Sequence, residues 1–151
     1  MRCAQVHDVS GSILRLTNHQ VQKGEGSEID PRQIAEIDSL PEEIRLEVRK
    51  DNFVRAAHLA VQSGLAREVI RRLQCSALRQ FIEVLHNFEG AKQLIASYDL
   101  SADEIREVLQ IVMNSEQART EVVTWFDKKG RTVTTTLAER ILRDPMFRKY
   151  L

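Results

Sequence analysis

The side chains able to do chemistry are scattered in this 151-residue sequence. His7, His19, His58 and His86 lie far apart, and none has a second histidine one helical turn away. No pair is therefore spaced to grip a metal from one helix face. Cys3 and Cys75 are the only cysteines, and their separation gives neither a disulfide framework nor a zinc signature. No Gly-rich phosphate loop, G-x-S-x-G elbow or H-E-x-x-H pair occurs. What remains is arginine. Arg79 and His86 fall on one predicted helix, and Arg67, Arg71 and Arg72 precede them. The sequence assigns no catalytic residue, no metal and no cofactor, and no small-molecule substrate is evident.

Three patterns suggest partners. Arg79 and His86, six residues between them, resemble the R-x4-6-H motif of the HEPN ribonucleases, all-α proteins that act as dimers. That resemblance implies His86 as acid/base and Arg79 as phosphate stabiliser in RNA cleavage. The plainer reading makes Arg79 a solvated helix residue and His86 a partly buried one at a helix end.

The run Leu40-Pro41-Glu42-Glu43-Ile44-Arg45-Leu46-Glu47-Val48 resembles the short ubiquitin-binding motif of translesion polymerases and some ubiquitin ligases. It would make Leu40, Pro41, Ile44, Glu47 and Val48 a protein-binding surface. The same residues also read as an ordinary helix start. Residues 65–88 can be read as a helix–turn–helix with Gln74-Cys75-Ser76 as the turn. Arg67, Arg71 and Arg72 would then lie on the first helix, and the second, which reads base edges in such folds, would present Arg79, Gln80 and Glu83. A sequence pI of 6.9 lacks the basic footprint of such readers.

The elements that must position these groups announce themselves by their starts. Ser39/Glu42, Ser101/Glu104 and Thr136/Glu139 are capping-box pairs. Asp30-Pro31 and Asp144-Pro145 add two starts with proline in the first turn. Apolar residues recur at three- and four-residue spacing from Ile34 onward. Pro41 divides a short helix near 31–37 from a second over about 41–50. Phe53 to Val61 forms the next stripe, ended by Gly64. Two stripes then run from Ala66 to Leu73 and from Leu78 to Leu85, with Gly90 read as a stop. Leu94 and Ile95 mark a short helix before Tyr98. Ile105 to Met113 gives the cleanest stripe. Ala118, Val122, Trp125 and Phe126 give another, closed by Gly130, and place Trp125 in the core. Leu137, Ile141 and Leu142 make the last long one. In the first 28 residues, Leu14 and Leu16 alternate with Arg15 and Thr17, which permits a short strand. Its partner would be the β-branched run Thr132-Val133-Thr134-Thr135-Thr136.

The fold expected is all-α: a compact bundle or irregular array of six to nine short helices, with an irregular or weakly β N-terminal arm. The arm takes residues 1–28, and a single helical domain takes 29–151. The 42% apolar and 29% charged fractions are those of an ordinary globular chain. The longest aliphatic run, Ile111-Val112-Met113, is far too short to span a bilayer. Residues 1–5 lead into no apolar stretch, so no secretory signal is expected. Two reduced thiols, Cys75 packed between helices, suggest the cytoplasm.

The net charge is zero but segregated. Residues 25–47 hold eight acids against Arg32 and Arg45, net −6, and residues 128–151 hold seven bases against Glu139 and Asp144, net +5. Such asymmetry steers partners or orients copies of one chain. The functional expectation is a non-enzymatic helical interaction module, an adaptor or regulator that binds a protein partner or itself. A nucleic-acid-binding regulator is the alternative, and a HEPN-like ribonuclease the third.

Overall fold

The structure, a computed structural model, describes residues 37–151. The arm at 1–28, its strand near Leu14, the Asp30-Pro31 start and the body of the helix near 31–37 lie outside the described residues. Among those described, eight helices and one two-stranded antiparallel sheet follow in order. They are α1 (Glu42–Arg49), α2 (Phe53–Gln62), α3 (Arg67–Glu83), α4 (Phe88–Tyr98), α5 (Ala102–Asn114), α6 (Glu116–Thr120), β1 (Val122–Phe126), β2 (Thr132–Thr136), α7 (Leu137–Arg143) and α8 (Pro145–Arg148). None of these helices is long and apolar enough to cross a membrane. The chain divides into two compact units, Met1–Ala77 and Leu78–Leu151.

In the first unit α1 and α2 pack on each other. Their apolar stripes, Ile44 and Val48 on one and Phe53, Ala56, Ala57 and Ala60 on the other, are fully buried. The small alanines of α2 are what permits so close an approach. Pro41, rather than Ser39, is the N-cap of α1, and the helix begins directly after it at Glu42.

α3 corrects two expectations at once. Gln74-Cys75-Ser76 is no turn, because one helix runs unbroken from Arg67 to Glu83. Neither glycine nor proline interrupts it, and residues 73–79 are all buried, so nothing drives the backbone to break there. His86 does not share that helix with Arg79. It lies past the helix end with φ +51°, in the left-handed region.

In the second unit Leu78, Ile82, Phe88, Ile105, Leu109, Leu137, Ile141 and Phe147 are buried. The Ser101/Glu104 and Thr136/Glu139 capping boxes are complete. The Asp144 carboxylate accepts from the Met146 and Phe147 backbone N–H groups at 3.0 and 3.2 Å, with Pro145 in the first turn. Gly90, expected to stop a helix, sits inside the first turn of α4. A Cβ there would come within 2.7 Å of the Phe81 ring and 2.8 Å of the Asn87 side chain. Glycine at this position permits a close approach, and Asn87 does the capping by accepting from Gly90 N–H at 2.8 Å.

The first four helix junctions share one device. Each holds a single left-handed residue: Asp51, Gly64, His86 and Asp99. After His86 the Asn87 N–H reaches back six residues to the Phe81 carbonyl; at the other three junctions the residue after the left-handed one reaches back five, from the N–H of Asn52, Leu65 and Leu100 to the carbonyls of Glu47, Ala60 and Ile95. These are the closing bonds of Schellman-type ends. Asp and His are the residues after Asn that best tolerate this backbone region without being glycine.

Candidate functional site

The largest departure from the helical reading is also where the surface becomes distinctive. Residues 122–126, expected on a helix, form a strand paired antiparallel with Thr132–Thr136, Val122 opposite Thr136 and Phe126 opposite Thr132. The partner foreseen for the threonine run lay near Leu14. The actual partner is the Val-Val-Thr-Trp-Phe run just before it. β-branched and aromatic side chains favour a pleated, half-buried surface. The turn then fixes the register.

That turn is built around Asp127. Its backbone N–H donates to the Arg131 carbonyl at 2.9 Å, and Gly130 N–H donates to the Asp127 carbonyl at 2.9 Å. The Asp127 carboxylate accepts from Lys129 N–H at 2.8 Å, Arg131 N–H at 2.9 Å and the Arg131 guanidinium at 2.8 Å. Gly130, at φ +74°, supplies the left-handed residue that a three-residue hairpin loop requires. The backbone bond with Arg131 is the main reason the Asp127 carboxyl sits below its ordinary value; desolvation opposes it, and the Arg131 side chain and Lys129 N–H add to the lowering. With Asp127 engaged inside the turn, exposed Lys128 and Lys129 give the tip its positive character.

The two faces of the ribbon differ. Inward, Val123 and Thr135 are buried, and Trp125 donates from Nε1 to Thr135 Oγ1 at 3.1 Å. Outward lie Val122, Thr124 and Phe126 beside Thr132, Thr134 and Thr136, with the Thr124 and Thr134 hydroxyls 3.3 Å apart. Val122 is 64% exposed and Phe126 73%. Trp125, expected in the core, is half-buried, and it is Phe126 beside it that stands in solvent.

The inner face is clamped by Arg140. Its guanidinium lies 4.3 Å from the Phe88 ring centre and 4.1 Å from that of Trp125. Burial lowers the Arg140 pKa, offset in part by the charges of Asp144 and Glu89. Lys92 bonds Asp144 at 2.9 Å and Glu89 at 3.2 Å. Burial opposes the Lys92 charge, but these two carboxylates outweigh it and raise its pKa. Phe88 and Phe147 meet edge to face at 5.2 Å behind this group. Lys92, Arg140 and Asp144 thus form a charged brace that holds the ribbon to its helices.

The residues singled out from sequence are placed as follows. Leu40, Ile44 and Val48 are buried in the first unit, Pro41 is exposed, and Glu47 accepts from Asn52 Nδ2 at 2.9 Å with Arg55 Nε 3.6 Å away. Leu40, Ile44 and Val48 of the Leu-Pro run are therefore core, while Leu46 beside them is 43% exposed. Arg67 is exposed and Arg71 donates to Gln74 at 3.2 Å. Arg72 is half-buried beside them. Arg79 is 1% exposed and bonded to Glu83 at 2.7 Å. It is turned away from any phosphate in solution. His86 is half-buried with Nε2 3.5 Å from Glu121, whose carboxylate also accepts from Gln117 at 2.7 Å. Among the described residues no group of three or more His, Cys, Asp or Glu side chains could hold a metal ion. Cys75 is buried on α3.

The outer face of the ribbon is the feature that sequence reasoning missed. The signal was present: two β-prone runs separated by Asp-Lys-Lys-Gly-Arg, a hairpin spelling. Compared with known proteins, the chain matches no family model, no curated protein and no solved structure.

Proposed function

We propose that this chain is a non-enzymatic protein–protein interaction module, an adaptor or regulator in the cytoplasm, and that it binds through the outer side of the β1–β2 hairpin. The observation that carries this reading is the pairing of Val122 and Phe126 on one open strand face, braced from behind by Arg140. Exposed large apolar side chains grouped on a rigid element mark interaction sites, whereas singly scattered ones do not. Aromatic side chains contribute most to binding when a partner covers them. The positive tip at Lys128 and Lys129 adds steering toward an acidic partner surface.

The test is differential. The wild-type chain and a Val122→Thr/Phe126→Thr variant, both shown to be folded by circular dichroism, are immobilised and exposed to lysate of the source cells. Proteins retained by the first and lost from the second support the reading. Identical retention by both removes it.

A further inference from the structure

Resting on that reading, we infer that the hairpin carries its own off-switch: Thr132 is the acceptor for a protein kinase whose cleft selects basic residues, and the phosphate cancels the charge of the tip. Lys128 and Lys129 stand four and three residues ahead of Thr132, and no other serine or threonine of the chain has a base at both places. Kinases sort their substrates by such charge patterns. Lys128, Lys129 and Thr132 are all exposed. Arg131 is engaged by Asp127 at 2.8 Å, so the two lysines are the bases an acidic cleft meets first. That engagement separates Thr132 from Thr134, which has Arg131 three residues ahead and whose hydroxyl stands 3.3 Å from that of Thr124.

The backbone presents Thr132 as a cleft requires. Asp127 N–H bonds the Arg131 carbonyl, and Leu137 N–H bonds the Glu121 carbonyl. Bonded and non-bonded pairs alternate along an antiparallel ladder, which makes Thr132 and Phe126 a non-bonded pair. Thr132 therefore turns its N–H and C=O away from β1, and among the described residues β1 is the only strand beside it. A segment already extended, with its hydrogen-bonding groups turned outward, enters a peptide cleft by strand addition without unfolding.

The transfer consumes one nucleoside triphosphate with its Mg²⁺. Thr132 Oγ1 bonds to the γ-phosphorus as the bond from that phosphorus to the β–γ bridging oxygen breaks. The nucleoside diphosphate leaves with the electron pair, and the hydroxyl proton passes to the carboxylate base of the kinase. The phosphothreonine carries a charge of about −1.5 to −2 at pH 7. Residues 127–131 hold Lys128, Lys129 and Arg131 against Asp127, net +2. The phosphate thus removes almost all of the steering toward an acidic partner. It also sets a strongly hydrated group directly across from Phe126, the ring that such a partner covers.

The experiment incubates the full chain with Mg²⁺-bound ATP and a purified serine/threonine kinase selective for bases three and four residues ahead of the acceptor. Products are mapped by mass spectrometry, and every variant is checked for its fold by circular dichroism. One phosphate on Thr132 is expected. Thr132→Ser should keep it, and Thr132→Val, which preserves the strand, should lose it. Lys128→Ala/Lys129→Ala should lower kcat/KM about tenfold. In the lysate capture the phosphorylated chain should lose the same proteins as the Val122→Thr/Phe126→Thr variant. No incorporation, incorporation confined to Thr134 or other residues, or incorporation indifferent to the two lysines overturns the inference. So does a phosphorylated chain that retains what the unmodified chain retains, and the interaction reading then stands without its switch. If the unmodified chain and the Val122→Thr/Phe126→Thr variant retain the same proteins, the interaction reading falls and the switch with it, while the mass spectra still decide whether Thr132 is the acceptor.

Discussion

In the second unit α3 and α7 each withdraw an arginine from water, and each has an acid four residues on. Arg79 meets Glu83 at 2.7 Å, with both side chains essentially fully buried. Arg140 stands 3.8 Å from Asp144 and keeps 19% of its side chain exposed. The difference lies in what the acid already does. Glu83 is turned to its arginine through two contacts. The Asp144 carboxylate caps α8 and holds Lys92, so Arg140 leans on the Phe88 and Trp125 rings. A deeply buried guanidinium needs a carboxylate, while one that keeps a wet edge is satisfied by aromatic faces.

The comparison breaks most readily at Arg79. Glu83→Ala leaves an uncompensated buried charge and should cost about 3–5 kcal/mol in urea unfolding. The double replacement Arg79→Met/Glu83→Leu should recover most of that loss, because buried ion pairs are often matched by apolar isosteres. If the double variant is as unstable as the single, the pair specifies the fold beyond its own energetics. Next comes Asp144→Ala, which removes a cap and leaves Lys92 with Glu89 alone, at about 2 kcal/mol. Asp144→Asn keeps the cap and should cost about half as much. Arg140→Ala should cost about 1 kcal/mol and increase Trp125 exposure, read by its fluorescence.

The smallest effect concerns a third arginine, Arg131, paired with Asp127 on the surface. The Asp127 carboxyl titrates below its ordinary 3.8 in the folded hairpin. A depressed carboxyl stabilises the fold above its unfolded pKa, and that contribution fades as pH falls through the folded one. The hairpin amides of Lys129 and Arg131 should therefore shift only below about pH 4 in an NMR titration, and Asp127→Asn should abolish the dependence.

How much of this was written in the residues depends on the range of the forces involved. Capping at Ser101, Thr136 and Asp144 is local chemistry within one turn, and it was legible. The strand at 122–126 was not, because Ala118, Val122, Trp125 and Phe126 also satisfy the helical spacing. Pairing with a threonine run ten residues on decided between the two periods. α3 was divided wrongly because polar Gln74 and Ser76 look like a surface, and burial by tertiary contact is invisible to periodicity. The Arg79–Glu83 pair was open to discovery only as an i,i+4 spacing, which far more often marks a solvated face. The outer face of the ribbon was hidden for the same reason as the strand: its exposure follows from which residues the turn at Asp127 sets opposite one another.

The single left-handed residue at each of the early junctions has a practical outcome. Corners so tightly closed offer a protease no slack, since cleavage needs a stretch of chain that can be drawn out into an active-site cleft. Within residues 42–151, trypsin should find its first cut after Lys128 or Lys129 and pass over the many arginines held on helices. The fragments released would then part at the hairpin tip.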